Sequence, residues 1–433
     1  MVRYNDNFSN LKNDTVPKKG LEKIKYLRLS NLSYISFGGE LREQFQYYHN
    51  QNFGDVPASF AKISTGQLWH RAMVHTNIEM GSKFRIFAQM GSTFRFLNPN
   101  PAAPEIDENQ LSLHQAFIDY QFQKNWMARM GRQEISYANH RLLTFREGPN
   151  TRLAFDAAVI KYNYKNRKID LFAMSPVISN KGVFDDQSFR DFIVGIYATE
   201  TIISKTVLLD YYVLNLNSDR RRYNYISGKE RRQTYGFRVF SENTKFNYEL
   251  EASYQSGKFN QSDISAFGIS ADINYRLVPG TNFIAGIGSN YMSGDKSKID
   301  KQINTYNLLF SKPQYGLTAP IGATNLININ PYIKINPSKK SSIYVSSYFM
   351  WRQSNQDGTY SPAAVELRPS PASIFVSTRK EIGTLFTVES IYSHSRNLAF
   401  GLDASRFIAG RYVKETGKGK NIAYLSLKAN YKF

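Results

Sequence analysis

The sequence predicts an all-β fold, a transmembrane antiparallel β-barrel of about 18 strands. Two patterns lead to this prediction. Segments of roughly ten residues with one apolar face recur along most of the 433-residue chain, as they do in barrel strands. The connections between these segments alternate between short turns and long polar loops. An even strand count, with short turns at one rim and long loops at the other, is typical of outer-membrane barrels.

The stretch at 71–96, RAMVHTNIEMGSKFRIFAQMGSTFRF, shows the alternation most clearly. Read at period two, Val74 and Ile78 fall on one face of the first strand, and Arg71 and Glu79 fall on the other. After a Gly-Ser turn the next strand repeats the pattern, again with arginines on its polar face. Such strands require an apolar environment against one face and a polar environment against the other.

The same alternation predicts the remaining strands in order, with bounds good to about two to four residues. The predicted strands span 33–47, 66–80, 83–96, 111–123, 125–138, 152–164, 167–178, 190–200, 205–216, 231–242, 244–257, 262–277, 280–293, 324–336, 340–353, 377–392, 396–407 and 420–433.

Every second connection between these strands is short. The short connections lie at 81–82, 124–125, 165–167, 242–245, 278–282, 336–340 and 393–397, and long polar ones lie at 98–110, 217–232, 294–323 and 354–376. A soluble β sandwich has no reason to keep this alternation. A membrane barrel with periplasmic turns is therefore favoured over a large soluble β protein.

Composition is compatible with a barrel in the outer membrane of a Gram-negative cell. The chain carries a net charge of +20, has no Cys, and has a mean hydropathy of −0.45. A barrel with a polar interior and polar loops averages to such a value. No run approaches the ~18 apolar residues of a membrane helix. The N-terminus lacks an apolar leader, so either the protein stays in the cytoplasm or a signal peptide was removed before this numbering begins.

The ends of the chain give two further expectations. Residues 1–32 form a basic periplasmic leader before a barrel at 33–433; a solvated tether is favoured over an arm that occludes the pore or binds a partner. The last strand ends on Phe433, which resembles the C-terminal signal of bacterial outer-membrane barrels. Interfacial aromatic girdles are expected from Tyr47, Tyr48, Phe94, Phe96, Tyr162, Tyr164, Tyr211 and Tyr212.

Charged residues inside the strands must face a hydrated lumen. An Arg or Lys facing lipid at the midplane costs about 2–4 kcal/mol, so Arg71, Arg85 and Arg95 are expected to point inward. Parity places further charges inside: Glu40, Arg42, Arg238, Glu249, Glu251, Asp272, Arg276, Lys334, Arg352, Arg379, Glu381, Glu389 and Asp403. Rings of Arg or Lys select anions. For each single Arg, the alternative to anion selection is a structural role in a ladder of ion pairs.

A second basic cluster lies in the predicted loop at 217–232. It consists of Arg220, Arg221, Arg222, Lys229, Arg231 and Arg232. Two interpretations stay open: the cluster binds phosphorylated lipopolysaccharide at the outer surface, or it folds over the mouth and attracts anionic solutes.

The segment at 113–164 resembles the alginate export family of outer-membrane porins. The features are MGRQE at a strand end, YANHRLL at a loop start, and NTRLAFDAAVIKY. Weaker agreement occurs at GGELREQFQYY, FDD, YNLLF, NL and RKEIGTLF, so the similarity covers nearly the whole chain.

The resemblance implies an 18-stranded monomeric barrel whose arginine-rich constriction passes a polyuronate. Residues at the family's motif positions are implied to line the pore or anchor its loops: Arg129, Arg132, Glu134, Arg141, Arg152 and Asp156. Arg42, Arg71, Arg379 and Glu381 lie in matching strand contexts. By parity, Arg129 and Arg132 lie on opposite faces unless Gly131 introduces a bulge. Asp156 shares a face with Ala158 and Ile160, which leaves open a role as loop anchor.

Other chemistry is not expected. The six His residues have no metal spacing, no cofactor motif is present, and an enzyme is not predicted. The basic residues alternate along strands instead of forming one stripe, which argues against nucleic-acid binding. Two function classes remain: a passive, anion-selective pore for an anionic polysaccharide or oligosaccharide, and a plugged or receptor barrel. Lipid, lipopolysaccharide and a periplasmic or surface protein are the expected partners of a monomer.

Overall fold

The barrel wall is one long sheet that closes on itself. A computed structural model describes residues 3–13, 20–55, 65–97, 107–188, 190–203, 206–223, 225–242, 245–278, 283–297, 299–312, 315–316, 318–368 and 377–433. Eighteen strands of the described chain form the wall. In chain order they are β1 Tyr34–His49, β2 Thr65–Met80, β3 Phe84–Phe96, β4 Asn109–Gln123, β5 Trp126–Gln133, β6 Phe155–Tyr164, β7 Arg167–Ile178, β8 Asp191–Ile203, β9 Val207–Tyr223, β10 Ile226–Ser241, β11 Phe246–Phe259, β12 Ser262–Arg276, β13 Ile284–Met292, β14 Leu326–Ser338, β15 Ser341–Arg352, β16 Glu381–Ser393, β17 Leu398–Ala409 and β18 Ile422–Lys432.

Closure comes from the pairing of the first and last strands. Strand β18 runs antiparallel to β1, with Glu40 opposite Lys432 and His49 opposite Ala423. Every other barrel strand pairs antiparallel with its sequence neighbours. A closed sheet satisfies its backbone donors and acceptors internally, which lipid requires. The predicted all-β barrel of 18 antiparallel strands is confirmed.

The two rims of the barrel differ in their connections. At one rim, called the turn rim here, strands are joined by short turns such as 124–125 and 165–166. At the opposite rim, called the loop rim, the connections 134–154, 293–325 and 353–380 are long. This asymmetry matches the predicted alternation of connections.

The hairpin of β9 and β10 is longer than the sequence predicts. The polar stretch 217–232 was expected to be a loop, but its two halves stay paired to a tight connection between Tyr223 and Ile226. A register shift between Ser218 and Arg221 absorbs the extra residues. The prediction of a loop here is wrong because local polarity does not break a hairpin whose alternate side chains find buried partners.

That hairpin divides the predicted basic cluster between two sides. Arg232 is fully buried and donates to Gln255, with Glu230 as its ion-pair partner. Arg221 lies near the carboxylate of Asp191, at 3.6 Å. The remaining members are exposed: Arg220, Arg222, Lys229 and Arg231.

The outer face of the wall is apolar, as lipid contact requires. Val74, Ile118 and Met130 are 54%, 51% and 73% exposed. Of the predicted girdle residues, Tyr47, Phe94, Phe96, Tyr164 and Tyr211 are exposed and Tyr162 is partly exposed. The prediction is wrong for Tyr48 and Tyr212, which are buried inside, because adjacent residues in a strand point to opposite faces.

Two loops of the loop rim fold back into the lumen and form its apolar core. Leu143 of the loop 134–154 and Leu308 of the loop 293–325 are each 1% exposed. They join one cluster with inward side chains of the wall, including Phe155 and Met174. The sequence predicts a strand over 125–138, but β5 ends at Gln133 and the chain turns inward instead.

The remaining elements are short. They are the strands Leu27–Arg28, Asp186–Gln187, Gln302–Ile303, Thr359–Tyr360 and Glu366–Arg368, the 3-10 helices Arg3–Asn5, Ser9–Asn13, Gly20–Ile24 and Gln51–Gly54, and the helix α1 Arg411–Glu415. In the described part of the chain, no helix combines the length and apolarity needed to cross a membrane.

Candidate transport pathway

The two inward loops meet inside the barrel and narrow it. A parallel bridge joins Leu143 to Phe310. The backbone N–H of Thr144 donates to the carbonyl of Phe310 at 3.1 Å, and the N–H of Lys312 donates to the carbonyl of His140 at 3.1 Å. These bonds fix the two loops as one unit, called the constriction here.

Two cavities meet at this constriction. One, of about 240 Å³, is lined by Glu147, Glu389, Asp403 and Lys428 among others. The second, of about 250 Å³, is lined by polar groups that include Arg141, Glu249, Asp272 and Asn290. The side chains shared by both cavities are Lys312, Tyr315 and Tyr348. These three side chains therefore lie at the boundary between the two cavities.

Lys312 is the unpaired cation of this passage. Within the part of the chain that the structure describes, no carboxylate oxygen lies within 4.0 Å of its ammonium group. Burial, followed by the nearby charge of Arg141, lowers the pKa of Lys312, and Glu249 and Glu389 oppose that shift. Arg146 is similar, since its guanidinium donates to the carbonyl of Ser311 at 2.9 Å without a described carboxylate partner.

The largest group of predicted site residues forms an ionic network between the wall and the loop 134–154. Arg42, Arg71 and Arg152 surround three carboxylates. The pairs are Arg71 with Glu40 at 2.6 Å, Arg71 with Glu147 at 2.5 Å, Arg152 with Glu134 at 3.4 Å and Arg42 with Glu147 at 3.7 Å. The three guanidinium groups thus face three carboxylates, and the network as a whole is close to neutral.

Glu147 is the member of this network that reaches open space. Its side chain is 49% exposed to the cavity, whereas that of Arg71 is 1% exposed. Burial among the surrounding atoms raises the pKa of Glu147, but Arg152, Arg71 and Arg42 outweigh that effect and hold it well below its usual range. Glu147 therefore stays ionised and neutralises arginines that the sequence predicts as anion ligands.

A second group joins two predicted arginines through one carboxylate. Arg129 donates to Asp119 through Nε at 2.7 Å and through Nη2 at 3.0 Å. Arg85 donates to the same carboxylate from Nε at 2.8 Å. Two cations share one anion here, so this group keeps one positive charge in excess.

A third group lies on the opposite wall. Arg238 pairs with Asp210 and with Glu249, both at 2.7 Å. Arg141, from the inward loop, lies 3.3 Å from Glu249 and 3.4 Å from Glu251. Acidic groups outnumber arginines here.

Two predicted residues lie nearer the rims. Arg95 lies 3.6 Å from the carboxylate of Glu108 toward the loop rim. Glu79 accepts a hydrogen bond from Asn77 at 3.2 Å near the turn rim. Both occupy inward-facing positions of their strands. Their part in transport stays a prediction.

The prediction that Arg132 and Asp156 line the pore is wrong. The pairing of β5 with β4 and β6 has no register shift at Gly131, so this residue introduces no bulge. Arg132 shares the outer face with Met130, and its Nε donates to Asp156 at 2.8 Å across the strands. The pair therefore cross-links two strands on the outside of the barrel.

The predicted pore positions of Arg379 and Glu381 are also wrong. A bulge at Gly383 places two residues of β16 opposite one of β15, so Glu381 pairs with the outward Trp351. The bulge shifts the alternation of inward and outward residues by one position. Glu389 therefore faces the lumen, and Glu381 faces outward. Arg379 precedes the strand and lies 3.4 Å from Glu415, with over half of its side chain exposed.

Arg352 points inward but does not serve as an anion site. Its guanidinium donates to backbone carbonyls of Asp357 at 2.8 Å and Ser377 at 2.8 Å, and it lies 3.8 Å from the ring of Tyr412. With its donors committed to the loop 353–380, Arg352 anchors that loop. Its part in transport stays a prediction.

The N-terminal leader is predicted to be a solvated tether, but its first described turn lies inside the lumen. Arg3 is 9% exposed and donates to the carbonyl of Phe433 at 2.8 Å. The hydroxyl of Tyr4 donates to the carbonyl of Glu134 at 3.1 Å. A solvated tether is therefore wrong for these two residues. Lys18 and Lys19 lie outside the described residues.

Sequence reasoning missed Lys312, Arg146 and Tyr4 because none of them lies in an alternating segment. One signal was available: the apolar run YNLLF at 306–310 stands inside a polar loop. An apolar run in a loop indicates that the loop is buried, and in a barrel only the lumen can bury it.

Comparison with known families decides the type of barrel. A family model described as alginate export matches residues 33–424. This chain belongs to the alginate export family. No curated protein matches it in sequence.

Solved structures give the same architecture for this alginate export family member. The chain is similar to Pseudomonas aeruginosa OpdO, with 10% identity, a TM-score of 0.62, and coverage of 94% of this chain and 98% of that one. It is similar to Acinetobacter baumannii OccAB1, with 11% identity, a TM-score of 0.62, and coverage of 96% and 100%. A BenF-like porin from Pseudomonas fluorescens Pf-5 has 9% identity, a TM-score of 0.62, and coverage of 94% and 99%.

Family and fold together identify an outer-membrane, channel-type β-barrel. The turn rim is then the periplasmic side and the loop rim the extracellular side.

Proposed function

We propose that this barrel is a passive channel with a preference for anions, and that it passes alginate-like polyuronate or its oligosaccharides. The observation that carries the proposal is Lys312, an unpaired ammonium that both cavities share at the constriction. A free cation at the boundary between the two cavities attracts carboxylates and disfavours entry of cations.

The preference is expected to be moderate. Most inward arginines are neutralised by carboxylates, and Glu389, Asp403 and Asp272 also line the cavities. Polar groups at the same place, such as Tyr315 and Tyr348, provide hydroxyls for sugar. Such a lining suits a hydrated sugar acid better than a small, bare anion.

The test is the reversal potential of the reconstituted protein in a potassium chloride gradient across a planar bilayer. We expect anion preference in the native chain and a fall of about two- to threefold in the chloride-to-potassium permeability ratio for Lys312→Gln. Lys124→Gln, in an exposed periplasmic turn, is the matched control. An unchanged ratio in Lys312→Gln would contradict the proposal.

A second candidate is a plugged barrel that acts as a receptor or as a subunit of an assembly. One observation favours it: Arg3 and Tyr4 lie inside the lumen. Such a barrel conducts no ions in the same bilayer experiment, with or without the leader.

A further inference from the structure

We infer that the N-terminal segment 3–8, called the arm here, occupies a binding site for a carboxylate carried on a six-membered ring, and that such a solute displaces the arm. This inference rests on the proposed function and deepens it. The site lies in the periplasmic half of the lumen, away from the constriction. Its elements are the guanidinium pair of Arg85 and Arg129 and the rings of Phe87 and Phe117.

The charge of this site suits one carboxylate. Arg85 and Arg129 share Asp119, so two positive charges face one negative charge. The third ligand is a neutral one, because Nη1 of Arg85 donates to the main-chain carbonyl of Tyr4 at 2.7 Å. A carboxylate oxygen in that position would form an ion pair with the guanidinium, which the neutral carbonyl of Tyr4 does not.

The shape of the site suits a ring. The ring of Tyr4 meets that of Phe117 edge-on at 5.4 Å and that of Phe87 at 6.2 Å. The guanidinium of Arg129 lies 4.3 Å from the centre of the Tyr4 ring and 4.1 Å from that of Phe117. The phenol thus fills a slot between a cation and two aromatic rings, and a pyranose or benzene ring has a similar outline.

Among the described residues, the arm has other contacts besides those of the site, and the Tyr4 hydroxyl donates to the carbonyl of Glu134 at 3.1 Å. Arg3 donates to Phe433, and its second partner, Asp6 at 3.0 Å, belongs to the arm itself. The ammonium of Lys25 lies 5.1 Å from the ring of Phe8. None of these contacts is a backbone pairing between barrel strands, so release of the arm leaves every barrel strand paired.

The first test measures the open-channel conductance of the full chain with Tyr4→Ala. Loss of the ring weakens the arm's hold, so we expect an about twofold rise in conductance, since the arm fills part of the lumen. Tyr164→Ala, on the exposed outer face, is the matched control. A chain that lacks residues 1–8 and shows the heat-shifted gel mobility of a folded barrel should conduct like Tyr4→Ala. Unchanged conductance in both variants would overturn the inference.

The second test follows the arm directly in the full chain. Because the sequence contains no Cys, a spin label on Asn5→Cys reports only the arm. We expect its spectrum to become mobile on addition of glucuronate or benzoate, and to stay unchanged with glucose. Release by glucuronate alone identifies a sugar acid, and release by benzoate alone identifies an aromatic acid. A spectrum that neither acid changes would overturn the inference.

The two proposals fail in different ways. If Lys312→Gln lowers the permeability ratio while the arm variants conduct like the native chain, the channel stands and the arm site is wrong. If the arm variants open a pore that prefers cations, the proposed anion channel and the carboxylate site are both wrong.

Discussion

At the scale of single residues, Glu147 controls the charge of the lumen. It is the carboxylate shared by Arg42, Arg71 and Arg152, and its side chain faces the cavity. Breaking a buried pair leaves the partner charge uncompensated, which is why one substitution here has a large electrostatic effect.

Glu147→Gln is expected to strengthen the anion preference. The neutral amide leaves three guanidinium groups with two carboxylates, so the chloride-to-potassium permeability ratio should rise about twofold, opposite to Lys312→Gln. Glu200→Gln, at a partly exposed pair with Arg167, is the control and should leave the ratio unchanged. A ratio that stays unchanged or falls in Glu147→Gln would contradict this prediction.

Asp107 gives the stability of the extracellular loops a pH dependence. Burial, opposed by Arg95 and assisted by Glu108, raises its pKa from 3.8 to about 7. The folded state therefore binds the proton more tightly than the unfolded state. The stabilisation is fully present below the unfolded pKa and is lost as the pH rises through the folded one.

Asp107→Asn should stabilise the folded barrel at pH 8 and have little effect at pH 4. The gain at pH 8 is up to about 4 kcal/mol, at about 1.4 kcal/mol per pH unit between the two pKa values. Thermal unfolding at both pH values measures it, with the exposed Asp219→Asn as control. Equal effects at the two pH values would contradict a raised pKa.

At the scale of elements, the bulge in β16 decides which charges enter the lumen. Gly383 has a φ of +142°, a region that side chains with a Cβ rarely adopt. A Cβ at this position would collide with the carbonyl oxygen of Ile408. Glycine therefore allows the bulge, and the bulge turns Glu381 outward while Glu389 stays inside.

Gly383→Ala should destabilise the barrel by about 1–3 kcal/mol through backbone strain. Unfolding in guanidinium chloride, followed by tyrosine and tryptophan fluorescence, measures the loss. Gly401→Ala is the control, because its nearest contact is an ordinary 3.5 Å from Lys428. If both variants unfold alike, the bulge does not depend on glycine.

The loop 134–154 shows how an element acquires its position from distant partners. Its residues Leu142 and Leu143 pack into the apolar cluster of the lumen, and its Glu147 meets three arginines of the wall and of the loop itself. The resemblance to the family marked Arg141 and Arg152 in this loop. It could not give all of their carboxylate partners, because Glu249 and Glu251, which face Arg141, and Glu40, which faces Arg152, come from strands far away in sequence.

At the scale of the whole molecule, closure of the sheet converts alternation along strands into an inside and an outside. The parity count placed Arg71, Arg85, Arg95 and Arg238 inside, and the structure has them there. The number of arginines at inward positions also predicted a strongly cationic lumen. The structure instead pairs most of these cations with carboxylates, so a net charge of +20 for the chain does not become a field of that size in the pathway.

The sequence by itself determined the barrel, its 18 strands, its two rims and the inward parity of its arginines. Each of these follows from a period of two and from the cost of charge in lipid, and both act locally along the chain. Only the tertiary structure decided which cations are free. Pairing depends on residues brought together across the lumen: Glu147 with Arg71, and Tyr4 with Arg129. It left Lys312 without a described carboxylate partner, because the inward loops carry it to a place that no strand pattern predicts.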